Sequence, residues 1–226
     1  SWDVSNVTTM KNMFVSLSNN CNDAAGEFGE VSLTFNQYIG NWDVSKVTNM
    51  SGMFRFSSYN QDIGNWNVSK VTDMSNMFYI AFDFNQNINT DGVSWNVSNV
   101  TNMSRMFMFA SAFNQNISAW NTAAVTNMSE LFQGATAFNG NISSWNTAAV
   151  TDMHSMFYSA SAFNQDIGNW NVSNVTDMSN MFNNATSFNQ DIGNWNVSNV
   201  TNMTEMFYSR TPSFNQYIGN WDVSKV

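Results

Sequence analysis

The chain is poor in several residue types, and each shortage excludes something. Its 226 residues include one Pro, one Cys and one His. Single Cys21 rules out an internal disulfide framework and leaves the redox compartment open. Charged residues make up only 10%, with Lys and Arg at 7 against 16 Asp and Glu. A net charge of −9 argues against nucleic acid, which is held by clustered cations. It also argues against docking on an anionic membrane. No apolar run is long enough to span a bilayer, and the opening residues show no signal-peptide pattern. Ser1 in place of an initiator suggests a processed product or a fragment. With so few charges, the surface must be built largely from Asn, Ser, Thr and Gln.

What is present is aromatic: 9 Trp, 19 Phe and 16 Met. That content demands a packed core and excludes disorder. Trp95, Trp120, Trp145, Trp170 and Trp195 are evenly spaced, and a common pattern runs between them. From Trp170 to Ile192 it reads W-N-V-S-N-V-T-D-M-S-N-M-F-N-N-A-T-S-F-N-Q-D-I. The chain is therefore a repeat array with a period of roughly 25 residues. Residues 1–226 form a single repeat domain of about eight full repeats and a partial one. Irregular spacing places an acidic insertion within Val15–Thr34, a short loop at Asn89–Ser94, and one extra residue around Pro212. Insertions of this kind leave a repeat stack as surface loops, where a one-off function would sit.

Apolar positions advance mostly by three, as in Val97, Val100, Met103 and Met106. Steps of two would mark a half-buried strand, and 3-4-3-4 steps a lone amphipathic helix. The pattern is read as an α/β solenoid. V-S-N-V supplies a short parallel strand, and Thr101 caps a short helical turn through Met103–Phe107.

The W-N-V-S-x-V-T-x-M-S-x-M-F-x-x-A-x-x-F-N-x-D-I unit resembles the 26-residue repeat of bacterial surface proteins, grouped with the BspA-like leucine-rich-repeat surface proteins. The resemblance covers essentially the whole chain outside the insertions. It implies a right-handed, leucine-rich-repeat-like coil, an extracellular or cell-surface location, and a role in adhesion and display. It supplies no catalytic residue.

In such an array each consensus position becomes a column of like residues. The Trp column is either an exposed stacking platform or core packing. Paired Met residues suit soft metals but, with Phe always adjacent, suit core packing better. The Asn column (Asn36, Asn60, Asn85, Asn114, Asn139, Asn164, Asn189, Asn215) offers a donor and an acceptor at each step and is expected to be structural. Asp152 with Asp177, and Asp166 with Asp191, are like charges in adjacent repeats. They are weak Ca²⁺ candidates, against the plainer reading of a solvated acidic face. Beyond that no cofactor is expected. N-x-[ST] sequons at Asn6, Asn99, Asn174 and Asn199 are glycosylation candidates, although an Asn/Ser/Thr-rich repeat generates such triplets automatically. His154 takes a position held mostly by Ser and reads as a drifted surface residue.

No nucleophile elbow, phosphate loop or zinc spacing is visible, so an enzyme is not expected. The expected function is an extracellular structural or adhesion scaffold that contacts protein copies, a host or cell-surface protein, or a glycan. Both ends fall at the same phase of the repeat, so the array is either an excerpt or stacks head to tail on other copies. The alternative is a solenoid that binds glycan or ice through its repeated polar face.

Overall fold

The computed structural model describes residues 2–15, 35–89, 94–210 and 213–226. The acidic insertion beyond Val15 and the centre of the Asn89–Ser94 loop lie outside them. Each repeat forms one irregular coil, and successive coils stack in register. Among the described residues there is no helix and no extended strand. The only sheet-like pairing among them is a file of single-residue parallel bridges, from Thr9↔Asn49 through Asp152↔Asp177 to Asp177↔Asn202.

The expected α/β coil, with one strand and one helical turn per repeat, is therefore corrected: the chain builds its coils from tight turns. In the repeat Trp170–Asn194 the proposed strand folds into a turn, with Val175 N–H donating to Val172 C=O at 2.9 Å. The proposed helical turn is a run of three-residue closures. Met181 donates to Met178, Asn183 to Asn180, Ala185 to Phe182 and Phe188 to Ala185, at 3.0 to 3.2 Å. Apart from the turn that closes on half-buried Asn180, both ends of these turns are buried, which is why apolar residues recur at steps of three. Left-handed residues keep the run from winding into a helix: Asn180 has φ 56° and Asn184 φ 55°. The same two positions are left-handed in other repeats, even where they carry Arg105, Phe109, Glu130 or Ser159. Each non-glycine there costs about 1 kcal/mol, so something must hold it.

The holding force is an alternation of peptide direction. Where Met181, Asn183 and Ala185 bond within the coil, the residues between them bond across it. Met178 donates to Asn202, Asn180 to Thr204, Phe182 to Met206 and Asn184 to Tyr208, at 2.8 to 2.9 Å. Toward the other neighbour, Thr176 N–H donates to Thr151 C=O at 2.9 Å. Backbone polar groups in the buried wall are thus paired although no regular element exists, as burial requires.

Inside the coils runs one continuous apolar cluster, from Val4 to Met206. Within a repeat, Phe182 stacks on Phe188 at 4.0 Å. Between repeats, Phe157 stacks on Phe182 at 5.7 Å and Phe163 on Phe188 at 5.9 Å. The Met columns fill the remaining core; Met103, Met106, Met178 and Met181 are fully buried.

One repeat breaks step. Ahead of Trp42, Trp66, Trp120, Trp145, Trp170, Trp195 and Trp221 a turn closes from the Trp N–H to the Ile three residues earlier, but Trp95 N–H donates instead to Trp66 C=O at 3.0 Å. Trp95 has φ 44°, and it is the one described left-handed residue outside the two recurring turn positions.

Candidate functional site

Polar residues form columns on the outside of the stack, and their bonding divides them into internal supports and free surface. The Asn column is a ladder along the stack. Asn189 N–H donates to Asn164 Oδ1 at 2.9 Å, Asn164 N–H to Asn139 Oδ1 at 3.0 Å, and Asn139 N–H to Asn114 Oδ1 at 2.9 Å. Gln190 Nε2 clamps the same step, donating to both Asn164 C=O and Oδ1 at 3.0 Å.

The Trp column lies inside the wall, with Trp95 through Trp195 no more than 4% exposed. Trp120 and Trp145 stack at 6.2 Å and 2°. Each indole N–H is anchored one coil back, as when Trp145 Nε1 donates to Ile117 C=O at 3.1 Å. Thr101 is no helix cap. Its hydroxyl donates to Thr72 C=O at 3.2 Å, beside its own N–H, and Thr126, Thr151, Thr176 and Thr201 repeat the arrangement.

The reference repeat also carries three side-chain-capped turns. Asn171 Oδ1 accepts Ser173 N–H at 3.1 Å, Asp177 Oδ1 accepts Ser179 N–H at 2.8 Å, and Asp191 Oδ1 accepts Gly193 N–H at 2.9 Å. Asp152 caps His154 N–H and Asp166 caps Gly168 N–H in the same way. Only an acceptor oxygen is needed, so Asp and Asn interchange at these positions wherever the turn is capped. Asp177 Oδ2 further accepts Asn202 Nδ2 at 3.1 Å. Burial opposes ionisation of Asp177, but the Ser179 hydroxyl and N–H and the Asn202 amide outweigh it and hold the carboxyl below its ordinary range. No group of three or more His, Cys, Asp or Glu able to hold a metal ion occurs among the described residues.

Among the described residues, the charges that meet form one chain across three repeats. Arg105 Nη2 and Nε both donate to Glu130 Oε1, at 2.6 and 3.0 Å. His154 Nε2 lies 3.1 Å from that oxygen, and its Nδ1 lies 2.8 Å from Asp152 Oδ1. His154 is thus a half-buried bridge and not a drifted surface residue. Burial pulls its pKa down, but Asp152 and Glu130 together raise it above the ordinary value. Glu130 is held low in spite of burial, chiefly by Arg105. The ring also sits beside the Asp152–Asp177 pair, where a positive charge relieves their repulsion.

The sequon residues Asn6, Asn99, Asn174 and Asn199 are exposed. Three of them donate Nδ2 to the preceding coil: Asn99 to Ser69 C=O, Asn174 to Ala148 C=O and Asn199 to Ser173 C=O, at 2.7 to 2.8 Å. Asn6 Oδ1 accepts Lys46 Nζ at 2.7 Å.

The outward positions are polar and repeated: in the reference repeat Asn169 and Asn194, and the turn-capping Asn171 and Asp191, are all exposed. Tyr38 and Tyr217, 56% and 71% exposed, occupy the Asp191 position in two other repeats. Among the described residues no helix is long and apolar enough to cross a membrane.

An array of near-identical coils with a shared core and shared hydrogen-bond ladders defines a tandem-repeat protein. The chain belongs to the family described as "Mycoplasma protein of unknown function, DUF285", whose model matches residues 1–94, 89–174 and 141–226. No curated protein matches the chain.

Proposed function

We propose that the chain is a structural and adhesive scaffold, working outside the cell or at its surface, that contacts protein partners through its repeated polar face. One observation carries the reading. The inner hydrogen-bonding capacity of each repeat is used to lock coil to coil, which leaves Asn169, Asn171, Asp191, Asn194 and their equivalents as a rigid exposed lattice. A lattice already ordered by its support loses little entropy on contact, which favours binding. Kinship with the BspA-like surface proteins belongs to the same proposal and rests on the W-N-V-S-x-V-T-x-M-S-x-M-F-x-x-A-x-x-F-N-x-D-I unit alone. Glycan recognition by the same face is the second reading, favoured by exposed Tyr38 and Tyr217 beside the amides.

The test is binding of the purified chain to intact cells. On the scaffold reading, binding is saturable, is lost after surface proteolysis, and weakens in an Asn169→Lys/Asn194→Lys variant of unchanged Tm. Loss on periodate treatment but not on proteolysis would transfer the function to glycan. Absence of binding, together with no concentration-dependent self-association by light scattering, would remove both adhesion and assembly.

A further inference from the structure

We infer that Asn139 is a self-modification site, where the Gly140 backbone nitrogen closes on the Asn139 side chain and converts it to aspartate or isoaspartate. Asn139–Gly140 is the one Asn-Gly pair in the chain. In the first step Gly140 N gives its proton to water and bonds to Asn139 Cγ. The Cγ–Nδ2 bond breaks, and the departing nitrogen takes a proton from water and leaves as ammonia. Water then opens the cyclic imide at either of its two carbonyls. One opening yields aspartate; the other routes the main chain through the former side chain as isoaspartate. Water is the only co-reactant.

The fold leaves this chemistry open. Asn139 is exposed, so water reaches it. Gly140 N–H makes no hydrogen bond among the described residues, and no side chain on Gly140 crowds ring closure. Asn139 is bonded through its own N–H and its Oδ1, which leaves Nδ2 to depart. Its Oδ1 accepts Asn164 N–H and Gln165 Nε2, both at 3.0 Å. Attack on Cγ places negative charge on that oxygen, where two fixed donors already stabilise it. Asn164 and Asn189 hold the same pair of donors from the next coil, but Gln165 and Gln190 follow them in place of glycine. They are built-in controls for the role of Gly140.

Conversion has a structural consequence. Gly140 stands where Gln115, Gln165 and Gln190 clamp the preceding coil, so Asn114 and Asn139 are joined at this step by the ladder bond alone, at 2.9 Å. Isoaspartate lengthens the main chain and moves the oxygen that Asn164 and Gln165 hold. The array therefore loosens with time at one internal joint. This site is independent of the scaffold reading, which rests on the exposed polar face.

The test is peptide mapping by mass spectrometry after the full chain is incubated at mildly alkaline pH, folded in one arm and unfolded in urea in the other. In the folded arm, the mass gain of deamidation and isoaspartate should accumulate at Asn139 while Asn114, Asn164 and Asn189 remain amides. The rate should rise with pH, because Gly140 N attacks only after losing its proton. Gly140→Gln, the residue of neighbouring repeats, should slow conversion by about tenfold, the response to about 1.4 kcal/mol of added barrier. Hydrogen exchange at Asn164 N–H should quicken in the converted chain. Conversion in urea but not in the folded chain would overturn the assignment, since the fold would then shield the site. So would equal conversion along the Asn column, a rate unchanged in Gly140→Gln, or unaltered exchange at Asn164. The comparison of folded and unfolded arms uses no variant, so it decides the matter even where Gly140→Gln does not fold.

Discussion

Asn164 Oδ1 accepts the backbone N–H of Asn189 at 2.9 Å, one coil further along the stack. The bond needs only an acceptor, yet this column holds Asn in every repeat, whereas the capped-turn columns mix Asn with Asp. The difference is electrostatic: a file of carboxylates at one-coil spacing would repel along its length. Asn164→Ala should cost about 1 kcal/mol by denaturant unfolding, and Asn164→Asp should cost less. Converting Asn139, Asn164 and Asn189 together to Asp should cost more than three times the single change near neutral pH. Part of that loss should return in acid, where the carboxyls are protonated.

The buried indole ladder carries a larger share. Trp145→Phe removes the hydrogen bond to Ile117 C=O and part of the stacking on Trp120 and Trp170. A loss of about 2–4 kcal/mol is expected, measured as a shift in urea midpoint. Trp2→Phe, at a site 68% exposed, should change the midpoint little.

Left-handed turn residues predict opposite signs at equivalent positions. Ser159 has φ 55° and its counterpart Gly134 has φ 67°. Ser159→Gly should stabilise by about 0.5–1 kcal/mol, because the native conformation strains any Cβ. Gly134→Ala should destabilise by more than that, since its Cβ would strike the Phe109 ring. Thermal unfolding of the two variants side by side reads both signs.

The charge chain predicts a pH dependence centred on one residue. His154 has a raised folded pKa, so its stabilisation is complete below the unfolded value near 6.5 and is lost as pH rises through the folded one. Glu130 is shifted the other way; its contribution is present above the ordinary carboxyl range and is lost as pH falls through its depressed value. The groups facing the imidazole are Asp152, Glu130 and, nearby, Asp177, with Arg105 on the far side of Glu130. Against His154→Ser, the wild-type chain should hold its largest stability advantage in mildly acidic solution and lose it toward alkaline pH. A pH-independent difference between the two would remove His154 from the account.

The period and the columns were legible in the sequence, because identical residues at a fixed spacing have few other meanings. Local conformation was not. A step of three apolar residues fits a helical turn and also a train of tight turns, and what separates them is the left-handed residue. Gly52, Asn76, Gly134 and Asn180 hint at it, but Arg105, Glu130 and Ser155 hold the same conformation with no compositional sign. The inter-coil hydrogen bonds impose it. Val97–Val100 looked extended because Val favours strands, yet it closes as a turn.

Central to the account is that backbone peptides alternate between bonds within a coil and bonds between coils. Scalar couplings transmitted through hydrogen bonds, measured by NMR on the isotope-labelled chain, test this directly. The account predicts a coupling from Ser155 N to the Ser179 carbonyl carbon and from Thr201 N to that of Thr176, whose hydrogen bonds measure 2.8 and 2.9 Å. A coupling from Ser155 N to the carbonyl four residues earlier, as in a helix, would contradict it.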